Sequence, residues 1–212
     1  MDFQSLIIRV PAILAALTFH EFFHGMAALK RGDRTADLSG RLTLNPLDHL
    51  DPLGTLMLMF GPFGWAKPVP VNPQNLKDPK KDIIWVSLAG PAANIMLAVS
   101  AGWIYRYLIM AFIPESELDP VFVQFMELFL LINLGIAFFN LIPIPPLDGS
   151  KILAGFLPDR KVAGYYRAVK HAPIVFLILI TAQWMFNIPV FSAILSPFWV
   201  PWMKLWYYVI FG

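Results

Sequence analysis

The sequence predicts an all-α polytopic membrane protein with a short re-entrant, β-like element after its first helix. Three observations carry that prediction. The 212-residue chain is 58% hydrophobic and only 14% charged, against about 25% charged residues in soluble domains, and its mean hydropathy is +0.62. Its apolar residues fall into runs near the length of about 20 that crosses a bilayer as a helix, separated by polar or basic connectors. One further run is too short and too broken to cross. The net charge of +2 is small and scattered and gives no basis for a nucleic-acid partner. The absence of cysteine excludes disulfides, thiolate metal sites and cysteine nucleophiles.

The first run extends from about Leu6 to Leu29 and stops at Lys30-Arg31. It contains Phe19-His20-Glu21-Phe22-Phe23-His24-Gly25. On a helix His20 and His24 lie one turn apart on one face, so two imidazoles can share one Zn²⁺. Glu21 stands beside that face, placed to take a proton from a metal-activated water rather than to ligate. The competing reading is a polar patch lining the bundle interior. Ionisable groups inside a bilayer are expensive and functional by default, which favours a site. Because this run holds the candidate site and little positive charge precedes it, it does not read as a cleaved signal peptide.

The next apolar stretch, Pro52–Ala66, has 15 residues and is interrupted by Gly54, Gly61-Pro62 and Gly64. It reads as re-entrant, which protein burial or a water-lined cavity can support. Phe63 to Pro73 carries Pro68, Pro70 and Pro73, cannot be helical, and is confined to edge-strand geometry or a Pro-rich interfacial loop. Full spans follow at about Ile83–Ile113, Val121–Ile142 and Ala172–Phe191. The last stretch, Ala193–Phe211, holds Pro197, Pro201, Lys204 and five Trp or Tyr residues; it either crosses or lies at the interface.

Loop charge predicts the orientation. Lys30, Arg31, Arg34 and Arg41 follow the first helix, Lys67, Lys77, Lys80 and Lys81 precede the next full span, and Lys151, Arg160, Lys161, Arg167 and Lys170 lie in 150–171. The connector Pro114–Pro120 carries Glu115, Glu117 and Asp119 without a basic residue. The positive-inside rule puts the basic segments in the cytoplasm and the acidic connector outside. His24 is then roughly 9 Å below the cytoplasmic end of its helix, at 1.5 Å per residue.

Two imidazoles do not complete a catalytic zinc site, which usually has three protein ligands. The span from Val121 ends in Asn140-Leu-Ile-Pro143-Ile-Pro145-Pro146-Leu-Asp148-Gly149, where the prolines break the helix. Asp148-Gly149 reads as a turn at the membrane surface or as a carboxylate ligand at the depth of His20 and His24.

These motifs carry a resemblance. Phe-His-Glu-Phe-Phe-His-Gly in the first core helix, Leu88-Ala-Gly90-Pro91-Ala-Ala-Asn94 in a middle one, and Asn140-x-x-Pro-x-Pro-x-x-Asp148-Gly after a later one resemble the site-2 protease family of intramembrane zinc metalloproteases. The resemblance covers about residues 5–155. It implies a three-helix catalytic core, one Zn²⁺ on His20, His24 and Asp148, and Glu21 as the catalytic carboxylate. The resemblance implies a short form, without the leading helix, PDZ insertion or other appended domain of larger members. We therefore expect a metalloprotease core at 1–155 and C-terminal transmembrane or interfacial helices at 156–212.

The expected reaction is hydrolysis of a peptide bond in a transmembrane or membrane-proximal segment of a membrane protein substrate. The enzyme would sit in the cell membrane with its site toward the cytoplasm. The stretch Phe63–Pro73 could receive the unwound substrate by strand addition. Asn94 reads either as an interhelical hydrogen-bonding residue or as a donor to the substrate's oxyanion. Asn140 either caps the broken helix or holds substrate, and its place in the motif favours substrate. His49 reads as a loop residue near the membrane face. A metal transporter is the rival class, disfavoured by Glu21 beside the ligands and by the lack of acidic residues across several spans.

Overall fold

The computed structural model describes residues 3–52, 54, 65–114 and 117–212. Helix α1, Phe3–Lys30, contains Pro11 and is followed by the single turn α2, Thr35–Leu38. After the loop and strap described below comes α3, Pro79–Trp103, which continues as a π-helical turn over Ile104–Ile109. Its start is fixed by Asp78, whose carboxylate accepts from the Lys81 N–H, with Pro79 in the first helical position. Helix α4, Pro120–Asn140, starts the same way: Asp119 accepts from the Val121 and Phe122 amides ahead of Pro120. Then follow α5, Asp148–Phe156, α6, Asp159–Ala168, α7, Ala172–Phe186, and α8, Val190–Phe211.

The chain is an integral membrane protein: four segments, Ile7–Lys30, Pro79–Tyr107, Pro120–Asn140 and Asp159–Phe186, are long and apolar enough to cross. Helices α1, α3 and α4 pack on one another, and α5 packs on α3. Small residues make this close approach possible. Ala12, Ala16, Ala93, Ala98 and Ala137 are almost fully buried, while large side chains such as Met96, Leu131 and Ile178 face outward. This is the packing expected where lipid, not water, surrounds the bundle.

Aromatic contacts place the two C-terminal helices against α4. Trp199 meets Phe138 edge to face at 5.3 Å and the Trp202 indole donates to Leu134 O at 3.1 Å. Near the other end of α8, Val209 O accepts from Trp103, and Ile210 O and Gly212 O accept from Arg106. Tyr105 in turn lies against Phe122, at the start of α4. Helix α8 thus runs antiparallel to α4 over most of its depth, so the aromatic-rich stretch is not confined to one interface. The sequence predicts a full span over Ala172–Phe191; the helix there is Ala172–Phe186, inside the segment Asp159–Phe186 that is long and apolar enough to cross. Phe176 lies 5.0 Å from both Phe139 and Phe191, so the chain is at the Asn140 end of the bundle in α7 and again at the start of α8.

The re-entrant stretch Pro52–Ala66 falls largely outside the described residues. Of the β-like element, the described part is a strap over residues 65–75 that forms no strand. One antiparallel bridge joins Leu50 to Ala66, and Lys67 N–H donates to His49 O at 2.8 Å. Pro68, Pro70 and Pro73 supply no amide to extend the ladder.

Candidate metal centre

The strap is tied to the end of α1 by one carboxylate. Asp33 is buried; its Oδ2 accepts from Asn72 N–H at 2.7 Å, and its Oδ1 from Asn75 Nδ2 and from the Thr35 amide and hydroxyl. Burial opposes its ionisation, but the Thr35, Asn72 and Asn75 hydrogen bonds outweigh that and hold the carboxyl below its ordinary range. Arg41 adds two bonds, to Lys67 O and Pro68 O. The strap so fixed points the Val69 N–H at Glu21, whose Oε2 accepts it at 2.8 Å.

One helical turn of α1 places His20 and His24 on the face toward α3. Asp148 arrives from the start of α5, directly after the proline-rich turn. Gly149 makes that approach possible: a Cβ there would lie 2.3 Å from Leu141 O and 2.5 Å from Ile142 O. The sequence leaves Asp148-Gly149 as either a surface turn or a carboxylate ligand; in the structure the pair opens a nine-residue helix that carries the carboxylate inward.

His20, His24 and Asp148 are all buried and form a group that can hold one metal ion. His20 Nε2 lies 3.2 Å and His24 Nε2 3.0 Å from Asp148 Oδ2, and the two Nε2 atoms are 3.0 Å apart. Zinc–nitrogen bonds of about 2.0–2.1 Å at tetrahedral angles put neighbouring donors roughly 3.3 Å apart. The triangle is therefore close to the size that zinc needs. The chemistry of the donors agrees. His24 Nδ1–H donates to the Val86 carbonyl at 2.7 Å, which leaves the Nε2 lone pair aimed at a carboxylate, an arrangement a cation relieves. Space is kept by Gly90 on α3: a Cβ there would come within 2.4 Å of His24 Nε2 and 2.7 Å of His20 Nε2.

A cleft of about 680 Å³ opens onto this group. Its lining includes Glu21, Val69, Val71, Asn140, Lys151 and Tyr166. Lys151 Nζ lies 3.2 Å from Asp148 Oδ1, and at the rim Lys80 pairs with Asp159 at 2.5 Å. Asn140 faces the cleft and donates through Nδ2 to Ile136 O at 3.0 Å. Asn94 lies elsewhere than an oxyanion donor would. Fully buried, it gives its amide protons to Ala16 O and Asn133 Oδ1, both at 2.9 Å, and presents Oδ1 to His20 Nδ1 at 2.6 Å. It therefore stands behind His20. His49 is buried away from the metal group, its Nε2 donating to Thr43 O.

Sequence reasoning missed Asn133, Val69 and Asp33. Asn133 left a signal: an amide side chain mid-span, seven residues before Asn140 and so on a similar face of the helix. Val69 left none, because it contributes a backbone amide.

Comparison with known proteins bears on the same arrangement. The profile of peptidase family M50 matches residues 108–181. The chain is 38% identical over 190 residues to "Putative zinc metalloprotease YwhC" of Bacillus subtilis, covering 89% of this chain and 84% of that protein. It is 33% identical over 159 residues to the Rip2 protein of Mycolicibacterium smegmatis, covering 68% of this chain and 54% of that one. With Rip2 of Mycobacterium tuberculosis it shares 28% over 220 residues, covering 92% and 82%. Both Rip2 proteins carry the same zinc metalloprotease description. No solved structure matches. The chain belongs to peptidase family M50, the site-2 protease family of zinc metalloproteases.

Proposed function

We propose that this metalloprotease is an intramembrane endopeptidase, cutting a peptide bond in a transmembrane or membrane-proximal segment of another protein. The observation that carries the reading is the depth of the metal group. His20 and His24 sit inside an apolar helix long enough to span, with a cleft opening beside them. In this reading residues 1–155 are the catalytic core, and 156–212 flank it.

His20, His24 and Asp148 are the proposed zinc ligands. Bound there, zinc would polarise the scissile carbonyl and lower the pKa of a water toward about 7. Glu21 is the proposed general base. With one oxygen held by Val69 N–H, its other oxygen takes the proton from the attacking water and later returns it to the leaving amine. Asn140, on the cleft wall, is the side chain we assign to the substrate's carbonyl. A transmembrane substrate has its amides locked in helical bonds, so it must unwind before its peptide bond can reach the ligands. The strap at Pro68–Val71 borders the cleft and offers the unwound segment a surface.

Substitution of Asp148 tests the ligand set. Asp148→Asn keeps size and turn propensity but loses the anionic oxygen, so zinc content and cleavage should both fall nearly as far as in Asp148→Ala. Near-normal zinc in the Asn variant would remove Asp148 from the set.

The site is proposed to open toward the cytoplasm of the cell. Single cysteines placed at positions 34, 77 and 160 of this cysteine-free chain should label from the cytoplasmic side, and one at 117 from the opposite side. Finding 34 and 77 on opposite faces would overturn this orientation.

A further inference from the structure

The metal group accounts for His20, His24 and Asp148 but leaves two buried amides in the middle of the bundle without a role. Asn94 on α3 and Asn133 on α4 are both fully shielded, and polar side chains at such depth are costly unless satisfied. Here every contact has a direction. Asn133 Nδ2 donates to Phe129 O at 2.9 Å; a backbone carbonyl only accepts, so the Asn133 oxygen must face the other way, toward Asn94. Asn94 meets two acceptors on one side, Asn133 Oδ1 and Ala16 O, so its nitrogen must face them. Its oxygen is thereby left facing His20 Nδ1, at 2.6 Å.

We propose that Asn133 and Asn94 are positioning residues that lock His20 as its Nδ1–H tautomer, so that the Nε2 lone pair always faces the metal. The chain of reasoning starts at the Phe129 and Ala16 carbonyls, which cannot be inverted, and passes through two amides. Were Asn94 turned over, its NH₂ would meet Nδ1, the proton would move to Nε2, and the lone pair needed for a metal bond would be gone. His24 needs no such relay, because Val86 O fixes its Nδ1–H directly. The two histidines are thus set by different devices: one by backbone, the other by side chains from both neighbouring core helices. The inference rests on the reading of His20 as a zinc ligand.

The test uses the full chain in detergent micelles, labelled with ¹⁵N-histidine and stripped of metal. The ¹⁵N shifts of His20 report its tautomer with no zinc or substrate present. Wild-type protein should show Nδ1–H. Asn133→Leu, close in size and apolar in an apolar bundle, should give a mixture of tautomers and weaken zinc binding, measured by chelator competition, about 10–100-fold. Asn94→Leu should do the same. Because Asn133 acts only through Asn94, adding Asn133→Leu to Asn94→Leu should cost no further affinity, whereas two independent packing effects would add. An Nε2–H tautomer in wild type overturns the lock without recourse to any variant. So does an unmoved tautomer in both single variants, or an additive double variant. Full zinc stoichiometry in His20→Ala would instead refute the ligand reading beneath it, and it is measured separately.

Discussion

Glu21→Gln should abolish peptide cleavage while leaving zinc bound at full stoichiometry. The variant keeps the length of the side chain and an oxygen for the Val69 amide, which Glu21 Oε2 holds at 2.8 Å, and it leaves all three proposed ligands in place. What it removes is the proton acceptor. General acid–base catalysis contributes about 10²–10⁴-fold, and a residue that both takes the proton from water and delivers it to the amine should fall at or beyond the upper end of that range. Single-turnover cleavage together with metal analysis on the same preparation separates this outcome from misfolding. Cleavage at the wild-type rate with zinc present would show that another group is the base.

Gly90→Ala should be as damaging by a different route, losing the metal itself. Gly90 faces the two histidines from α3, and an added Cβ would lie 2.4 Å from His24 Nε2 and 2.7 Å from His20 Nε2. Carbon cannot sit that close, so the helices must part or the imidazoles must swing off their partners at Val86 and Asn94. Either movement breaks a triangle whose edges are 3.0–3.2 Å. Zinc affinity should fall by at least about 100-fold, beyond the usual cost of losing an outer hydrogen bond. The helix itself should not suffer, since Ala is the better helix former by roughly 1 kcal/mol. A Gly90→Ala protein that is less active but holds zinc normally would place the metal elsewhere.

The part of this site legible in the sequence is the part set by helical spacing. His20 and His24 share a face because they are four residues apart, and Glu21 stands beside that face for the same reason. Asp148 needed a turn to be brought inward, and its prolines and Gly149 marked where the helix must break, though not that a new helix begins there. Asn94 was visible as an amide mid-span, but its role depends on which neighbours fill its donor sites, and those lie on α1 and α4. Val69 could not be read at all, because any residue but proline would supply the same amide. At the C-terminal end, hydropathy measured how far α7 and α8 could reach. Aromatic packing of Phe176 on Phe139 and Phe191, and of Trp199 on Phe138, decided where they go.

Cleavage of a model transmembrane peptide in liposomes by zinc-loaded protein, with the products mapped by mass spectrometry, tests intramembrane proteolysis most directly. One peptide bond should be cut within the membrane-embedded segment or at its border. Chelation should abolish the cut, restored zinc should recover it, and Glu21→Gln should lack it. Zinc-loaded wild-type protein that leaves such peptides intact while cutting unfolded soluble peptides would contradict it.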